Sequence, residues 1–217
     1  DTSARVEALR QQGVTVETAR VDVTEAGDVE RFFAELQRCE SPVRGVFHAA
    51  ALLEDRVLAE IDAESWRRVM SAKVTGAWLL HQVTRRLALD HFVVYSSAAS
   101  VAAIAGQCNY TAANAMLDAL ILERRRLGVV GTTVNWGAWA DVGLVKDAAI
   151  VTMLLRQGLL PMKPAAALRA LGYALGRGDS QAILLAVDWQ ALGDHRLTGA
   201  MVPSALRSVV RREAVIS

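Results

Sequence analysis

The chain has 217 residues, of which 53% are hydrophobic and 22% charged, and its formal net charge is +1 at pH 7. This length and composition suit one sizeable core, while the near-zero net charge gives no electrostatic case for binding nucleic acid or an anionic membrane. The two cysteines, Cys39 and Cys108, are too few for a disulfide framework, so a reducing, cytoplasmic setting is the default expectation.

Helical and strand patterns alternate along most of the chain. The predicted helices cover residues 1–12, 25–38, 62–87, 109–127 and 164–175, and the predicted strands cover residues 14–21, 43–50, 91–95, 132–136 and 182–187. This alternation favours an α/β fold with a parallel sheet between two layers of helices. Ligands of such sheets bind at the carboxyl ends of the strands, where Asp22, Ala49, Ser97 and Asn135 are expected.

Four polar residues carry the chemistry that this pattern suggests. Tyr110 is followed four residues later by Asn114, Ser97 lies thirteen residues before it, and Lys73 lies twenty-four residues before Ser97. Hydride addition to a ketone builds negative charge on oxygen, which the site must stabilise and protonate. Tyr110 can donate that proton, Ser97 can orient the carbonyl, and a Lys73 ammonium is expected to lower the phenol's pKa. Asn114, one helical turn after Tyr110, can hold a water or Lys73 in a proton relay.

Each of these residues also has a structural interpretation. A single tyrosine on an apolar helix face is usually part of a core, and a serine after a strand is usually a cap. Lys73 is harder to explain in this way, because it falls inside the apolar stripe of the helix predicted at 62–87. Lysines are rarely buried unless they are paired, so the group of four favours a catalytic site.

At these residues the chain resembles the ketoreductase domain of modular polyketide synthases, a branch of the short-chain dehydrogenase/reductases. Most of that superfamily has a lysine four residues after the tyrosine, whereas the polyketide ketoreductases have asparagine there and take the lysine from the preceding long helix. Lys73, Ser97, Tyr110 and Asn114 match this exchanged order and spacing. Four further stretches match: Val21-Asp22-Val23, Gly45-Val-Phe-His48-Ala-Ala50, Asn114-Ala-Met-Leu-Asp118-Ala-Leu and Asn135-Trp136-Gly137-Ala-Trp139.

The resemblance implies a Rossmann-like fold and the reduction of a β-ketoacyl thioester, carried on an acyl carrier protein, to a β-hydroxyacyl thioester. It implies NADPH as cofactor and no metal. Asp22 and Val23 are then expected beside the adenine, the Ala49–Ala50 backbone close to the cofactor, and Lys73 at the nicotinamide ribose hydroxyls. Tyr110 is also expected to contact the cofactor. Asp22 can also be explained as a helix cap or a strand-end turn.

Two family marks bear on stereochemistry. Leu53-Glu54-Asp55 resembles the Leu-Asp-Asp motif of B-type ketoreductases, and Ala102 stands where the opposite type has tryptophan. Asn109 directly before Tyr110 supports the B-type, whereas Ala105 departs from its usual proline. The resemblance therefore implies a D-configured alcohol, with Asp55 and Asn109 orienting the substrate. Without it, residues 54–56 can equally be explained as a solvated turn.

A dinucleotide fold begins with a strand, a glycine-rich turn and a helix that faces the pyrophosphate. None of the fifteen glycines forms a G-x-G-x-x-G after a predicted strand. We therefore expect residues 1–192 to be the C-terminal part of a ketoreductase domain, with residues 193–217 as a linker or tail. The missing N-terminal part, on another stretch of polypeptide, would place a strand between 14–21 and 43–50.

Three alternatives stay open. The chain could be a truncated relic or a catalytically silent half-domain that organises neighbouring polyketide synthase domains. It could also belong to a free-standing reductase of small ketones. The presence of all four catalytic residue types argues against the silent forms, and a carrier protein beyond the linker would argue against the free-standing one.

Overall fold

A four-stranded parallel sheet forms the centre of the protein. The structure, a computed structural model, describes residues 2–101, 106–143 and 148–192. The sheet consists of β1 (Gly45–His48), β2 (His91–Ser97), β3 (Thr132–Trp136) and β5 (Gln181–Leu184), in the spatial order β1-β2-β3-β5. Val46 lies opposite Phe92, and Val134 lies between Tyr95 and Ala182. A separate antiparallel pair is formed by β4 (Leu159–Leu160) and β6 (Ala186–Val187).

Helices connect the strands. They are α1 (Thr2–Gln11), α2 (Ala26–Leu36), α3 (Ala63–Met70), α4 (Gly76–Thr84), α5 (Cys108–Arg126), α6 (Ala148–Arg156) and α7 (Pro164–Arg177). Asp62 starts α3 because its carboxylate accepts a hydrogen bond from the Ser65 backbone N–H at 2.7 Å. Gly178 ends α7 in the left-handed conformation, with φ of 70°. Short 3₁₀ turns lie at Leu58–Glu60 and Ala98–Ser100.

Helices cover both faces of the sheet, and the side chains of successive β2 residues point to opposite faces. Phe92 and Val94 pack in a core cluster with residues of α2, α4 and α5, whereas Val93 packs with Val134 and with residues of α7. Helices on both faces of an all-parallel four-stranded sheet confirm the doubly wound, Rossmann-like fold that the sequence predicts.

The predicted strand at 14–21 is wrong for the structure described. These residues run extended, but none of the described residues pairs with them in a sheet. A strand needs a hydrogen-bonded neighbour, and β1 pairs only with β2 in the part of the chain described. Other strands differ in their limits: 43–50 is shortened to Gly45–His48, and 182–187 is divided between β5 and β6.

The linker predicted at 193–217 lies outside the described residues. Within the described ranges, no helix combines the length and the apolar character needed to cross a membrane.

Candidate active site

A cleft of about 340 Å³ opens at the carboxyl ends of β1, β2 and β3. Lys73, Ser97 and Tyr110 all line it, and Asn114 lies directly behind Tyr110 on α5. The cleft is otherwise largely apolar, with walls that include Leu53, Trp136, Trp139, Val142, Met153 and Leu154. The structure therefore brings together residues that are far apart in sequence and surrounds them with a mainly hydrocarbon surface.

Lys73 is presented by a break in helix regularity. Residues Ser71–Thr75 form a single π turn between α3 and α4, a feature that often occurs at functional sites. The ring Nε2 of buried His48 lies 3.1 Å from the Lys73 carbonyl oxygen, and since a carbonyl can only accept, Nε2 carries the proton. This contact between β1 and the turn fixes the backbone of Lys73.

The Lys73 side chain is 2% exposed, and its Nζ donates to the Tyr95 carbonyl at 2.8 Å. Burial lowers the pKa of Lys73 to about 8, while the charge of Asp118 acts in the opposite direction. A lysine with this pKa is mostly an ammonium at pH 7 and can lose a proton slightly above it. It can therefore take part in proton exchange near neutral pH.

Tyr110 and Asn114 share one face of α5. The Lys73 Nζ lies 5.1 Å from the centre of the Tyr110 ring, and the Asn114 amide donates to the Tyr110 carbonyl at 2.7 Å. Asn114 is fully buried, yet its Oδ1 has no hydrogen-bond partner among the described residues. A buried amide oxygen without a partner calls for a donor such as a water, as the predicted relay requires.

Ser97 ends β2 and caps the turn that follows it. Its Oγ accepts a hydrogen bond from the Ala99 backbone N–H at 3.1 Å, which leaves the hydroxyl proton available to another acceptor. The sequence prediction placed Ser97 just beyond the strand, whereas it is the last strand residue. Its position at the carboxyl end of β2, facing the cleft, agrees with the predicted one.

The pKa of Tyr110 moves against our expectation. We expected Lys73 to lower it, but burial raises the pKa of the phenol, and hydrogen bonding by the Ser97 and Asn114 side chains only partly offsets this. The negative charge of Asp55 acts in the same direction as burial, since it also disfavours the ionised phenol. The consequence is that Tyr110 keeps its proton at neutral pH, as a proton donor must.

The residues expected at the cofactor are more scattered. Ala49 lines the cleft, whereas Ala50, Asp22 and Val23 do not contribute to the described lining. The Asp22 carboxylate accepts from the backbone N–H and the hydroxyl of Thr24 at 2.9 and 2.8 Å, and these bonds lower its pKa. Asp22 thus makes a local turn before α2, and a cofactor contact from it remains a prediction.

The two residues expected to orient the substrate act on a loop. The Asp55 carboxylate accepts from the Gln107 side chain at 2.9 Å, and the Asn109 amide donates to the Glu54 carbonyl at 3.1 Å. Both bonds fasten the 53–56 loop to the residues just before Tyr110, and Leu53 of that loop lines the cleft. The two other stereochemical positions, Ala102 and Ala105, lie outside the described residues.

Sequence reasoning missed three residues that support the site: His48, Gln107 and Asp118. Asp118 carried a detectable signal, because it follows Tyr110 and Asn114 at the same helical interval of four. His48 and Gln107 act through contacts between segments distant in the chain, and no local pattern reveals such contacts.

Known proteins resemble this chain in sequence and in fold. Residues 1–141 match the family model described as "KR domain". Polyketide synthase GfsE of Streptomyces halstedii is 39% identical over 94% of this chain, which corresponds to 5% of that protein. A type I polyketide synthase of Mycobacterium tuberculosis, whose name marks it as a suspected inactive phenolphthiocerol synthesis enzyme, is 36% identical over 94% of this chain and 13% of its own length.

A solved A1-type ketoreductase is 35% identical and superimposes with a TM-score of 0.89 over 99% of this chain. The chain spans 45% of that structure's chain and a far smaller part of the two synthases. On these matches, the chain belongs to the KR domains of polyketide synthases, ketoreductases of the short-chain dehydrogenase/reductase superfamily.

Proposed function

We propose that the site reduces a β-ketoacyl thioester, held on an acyl carrier protein, to a β-hydroxyacyl thioester with NADPH. The observation that carries this proposal is the meeting of Lys73, Ser97 and Tyr110 in one apolar cleft, with Asn114 directly behind. A protonated phenol beside a serine hydroxyl is suited to bind and protonate one carbonyl oxygen.

The chain's own residues account for the proton. Ser97 and Tyr110 hydrogen-bond the ketone oxygen, and the Tyr110 proton passes to it as negative charge develops there. The Lys73 ammonium, near the Tyr110 ring, stabilises the resulting phenolate. A water on the Asn114 oxygen, which has no partner among the described residues, passes a proton from solvent back to Lys73 and Tyr110. The cofactor, when bound, supplies the hydride that makes the carbonyl carbon tetrahedral.

The residues present fit a nicotinamide cofactor. Lys73 lines the cleft, where its ammonium would meet ribose hydroxyls, and the small side chains of Ala49 and Ala51 in the lining would allow the cofactor a close approach. NADPH rather than NADH follows from the family resemblance. Asp22 and Val23 would lie towards the adenine, and Ala50 beside the bound cofactor.

The substrate proposal rests on the shape and polarity of the cleft. Its apolar walls suit an acyl chain, and β6 and α6 contribute Ala186, Met153 and Leu154 to them. We propose a B-type site that forms a D-hydroxyl, because Asp55 and Asn109 fix the loop carrying Leu53. The solvated-turn interpretation retains support, since Glu54 pairs with Arg56 and Arg68.

A complete site needs further polypeptide on this account. Among the described residues, β1 lacks a strand partner on one edge and its Phe47 is 49% exposed. We propose that an additional strand, followed by a glycine-rich turn, pairs there and completes the cofactor site. Neighbouring polyketide synthase domains would deliver the carrier-bound substrate.

A silent half-domain is the second candidate, since one relative's name marks it as suspected inactive. The gathered catalytic residues favour the reductase. The test uses the intact protein, which here means this chain together with the proposed additional strand and glycine-rich turn. It is incubated with NADPH and a racemic 2-methyl-3-keto thioester, and the product is analysed by chiral chromatography. A D-hydroxyl product supports the whole proposal, an L-hydroxyl product contradicts the B-type assignment, and no product supports the silent alternative.

A further inference from the structure

Asp118 lies two helical turns after Tyr110 on α5 and has no part in the proton transfer described above. Its carboxylate accepts three hydrogen bonds from side chains: Ser100 Oγ at 2.7 Å, Thr133 Oγ1 at 2.6 Å and Asn135 Nδ2 at 2.8 Å. Ionised acceptors form the stronger hydrogen bonds, so this carboxylate is the centre of the network.

The network reaches Ser97 through the turn that follows it. Ser100 Oγ lies 2.9 Å from the Ser97 carbonyl and 2.8 Å from Asn135 Nδ2. Because the carboxylate is the better acceptor, the single Ser100 proton goes to Asp118, and Ser100 accepts from Asn135. Asn135 is itself fixed, since its Oδ1 accepts from Gln181 at 3.0 Å. The turn after Ser97 is therefore anchored to α5, β3 and β5 at once.

The negative charge of Asp118 also acts on Lys73. Among the described residues, the Lys73 Nζ contacts the Tyr95 carbonyl from β2 and the Tyr110 ring from α5, and its charge interacts with the neutral His48 ring from β1 and with Asp118 from α5. Of these, Asp118 carries the negative charge, and its field opposes the effect of burial on the lysine. The same carboxylate thus acts on two of the proposed catalytic residues without touching the substrate oxygen.

We propose that Asp118 is a positioning residue of this site, which fixes the turn presenting Ser97 and supplies negative charge that favours the Lys73 ammonium. The catalytic meaning of this inference rests on the proposed reductase function. A purely structural network would keep α5 and β3 together, but removing the charge of Asp118 would then leave the titration of Lys73 unchanged.

The first experiment measures the Lys73 titration directly in the intact protein, by NMR of lysine labelled with ¹³C at Cε. The resonance that disappears in Lys73→Arg identifies Lys73. Asp118→Asn removes the charge at nearly constant shape and is expected to lower the Lys73 midpoint by roughly half a unit or more. Glu123→Gln, which neutralises an exposed carboxylate on the same helix, is the matched control and should leave the midpoint in place.

The second experiment separates alignment from charge. Ser100→Ala removes the link between the turn and Asp118 but keeps the carboxylate. We expect kcat for ketone reduction to fall roughly tenfold, with the NADPH KM nearly unchanged and the Lys73 midpoint at its wild-type value. This variant decides the alignment role even where Asp118→Asn does not fold.

An Asp118→Asn protein that titrates like wild type overturns the electrostatic role, and wild-type kcat in Ser100→Ala overturns the alignment role. Failure of the proposed function itself is distinguishable, because an intact wild-type protein that reduces no ketone still yields the Lys73 titration.

Discussion

Replacing Lys73 by methionine should stabilise the fold in a pH-dependent manner. Lys73 is 2% exposed, and among the described residues its Nζ hydrogen-bonds only the Tyr95 carbonyl, so its ammonium has lost most of its hydration. Methionine fills a similar volume without a charge. The substitution therefore removes the desolvation cost at any pH at which the folded lysine would be charged.

The pH dependence of this stabilisation follows from the direction of the Lys73 pKa shift. Folding lowers the pKa of Lys73 from 10.5 to about 8, which corresponds to about 3 kcal/mol. Below pH 8 the lysine is charged in both states, and the folded state carries the full cost. Between pH 8 and 10.5 the folded lysine loses its proton first and the cost shrinks, and above that window it is gone.

Urea unfolding at pH 7 and at pH 10 measures this effect. The free energy of unfolding of Lys73→Met relative to wild type should be about 2 kcal/mol more favourable at pH 7 than at pH 10, since contacts that do not titrate cancel in the comparison. The exposed Lys163→Met provides a control that removes the same charge without burial. An equal effect of Lys73→Met at both pH values would refute the buried-ammonium argument.

Two further predictions concern pH and packing. If the Lys73 ammonium assists Tyr110, kcat for ketone reduction should decrease as pH rises through about 8, with the sign set by loss of the lysine proton, and a kcat that is flat from pH 7 to 9 would contradict this. Gly76→Ala should cost about 1–3 kcal/mol despite its better helix propensity, because the new Cβ would lie 3.0 Å from His48 Cε1 and from Val23 Cγ2. Gly172→Ala, where nothing lies within 4 Å, should stabilise α7 by up to about 1 kcal/mol, and urea unfolding of both variants checks the contrast.

Much of this site could be predicted from local patterns. Lys73 stood out because a cation interrupted an apolar helical stripe, and it is indeed buried. Tyr110 and Asn114 were predicted on one helix face by their spacing, and the structure places them there. The spacing of residues along a helix depends only on neighbours in sequence, so it predicts correctly which side chains share a face.

Other features depend on tertiary contacts and could not be predicted in this way. The π turn at Ser71–Thr75 is held by His48 from a strand more than twenty residues earlier. The strand predicted at 14–21 was expected to pair with a strand on another stretch of polypeptide, and without a partner among the described residues it is extended but not part of a sheet. The direction of the Tyr110 pKa shift was also missed, since it depends on how deeply the ring is buried.

Tyr110→Phe tests the central claim most directly, because it removes one hydroxyl from the cleft and leaves the ring beside Lys73. Turnover of a β-ketoacyl thioester by the intact protein, measured together with NADPH affinity, should fall by about two to four orders of magnitude while cofactor binding stays near wild type. Wild-type turnover in this variant would contradict the assignment of the phenol as proton donor and, with it, the mechanism proposed for this site.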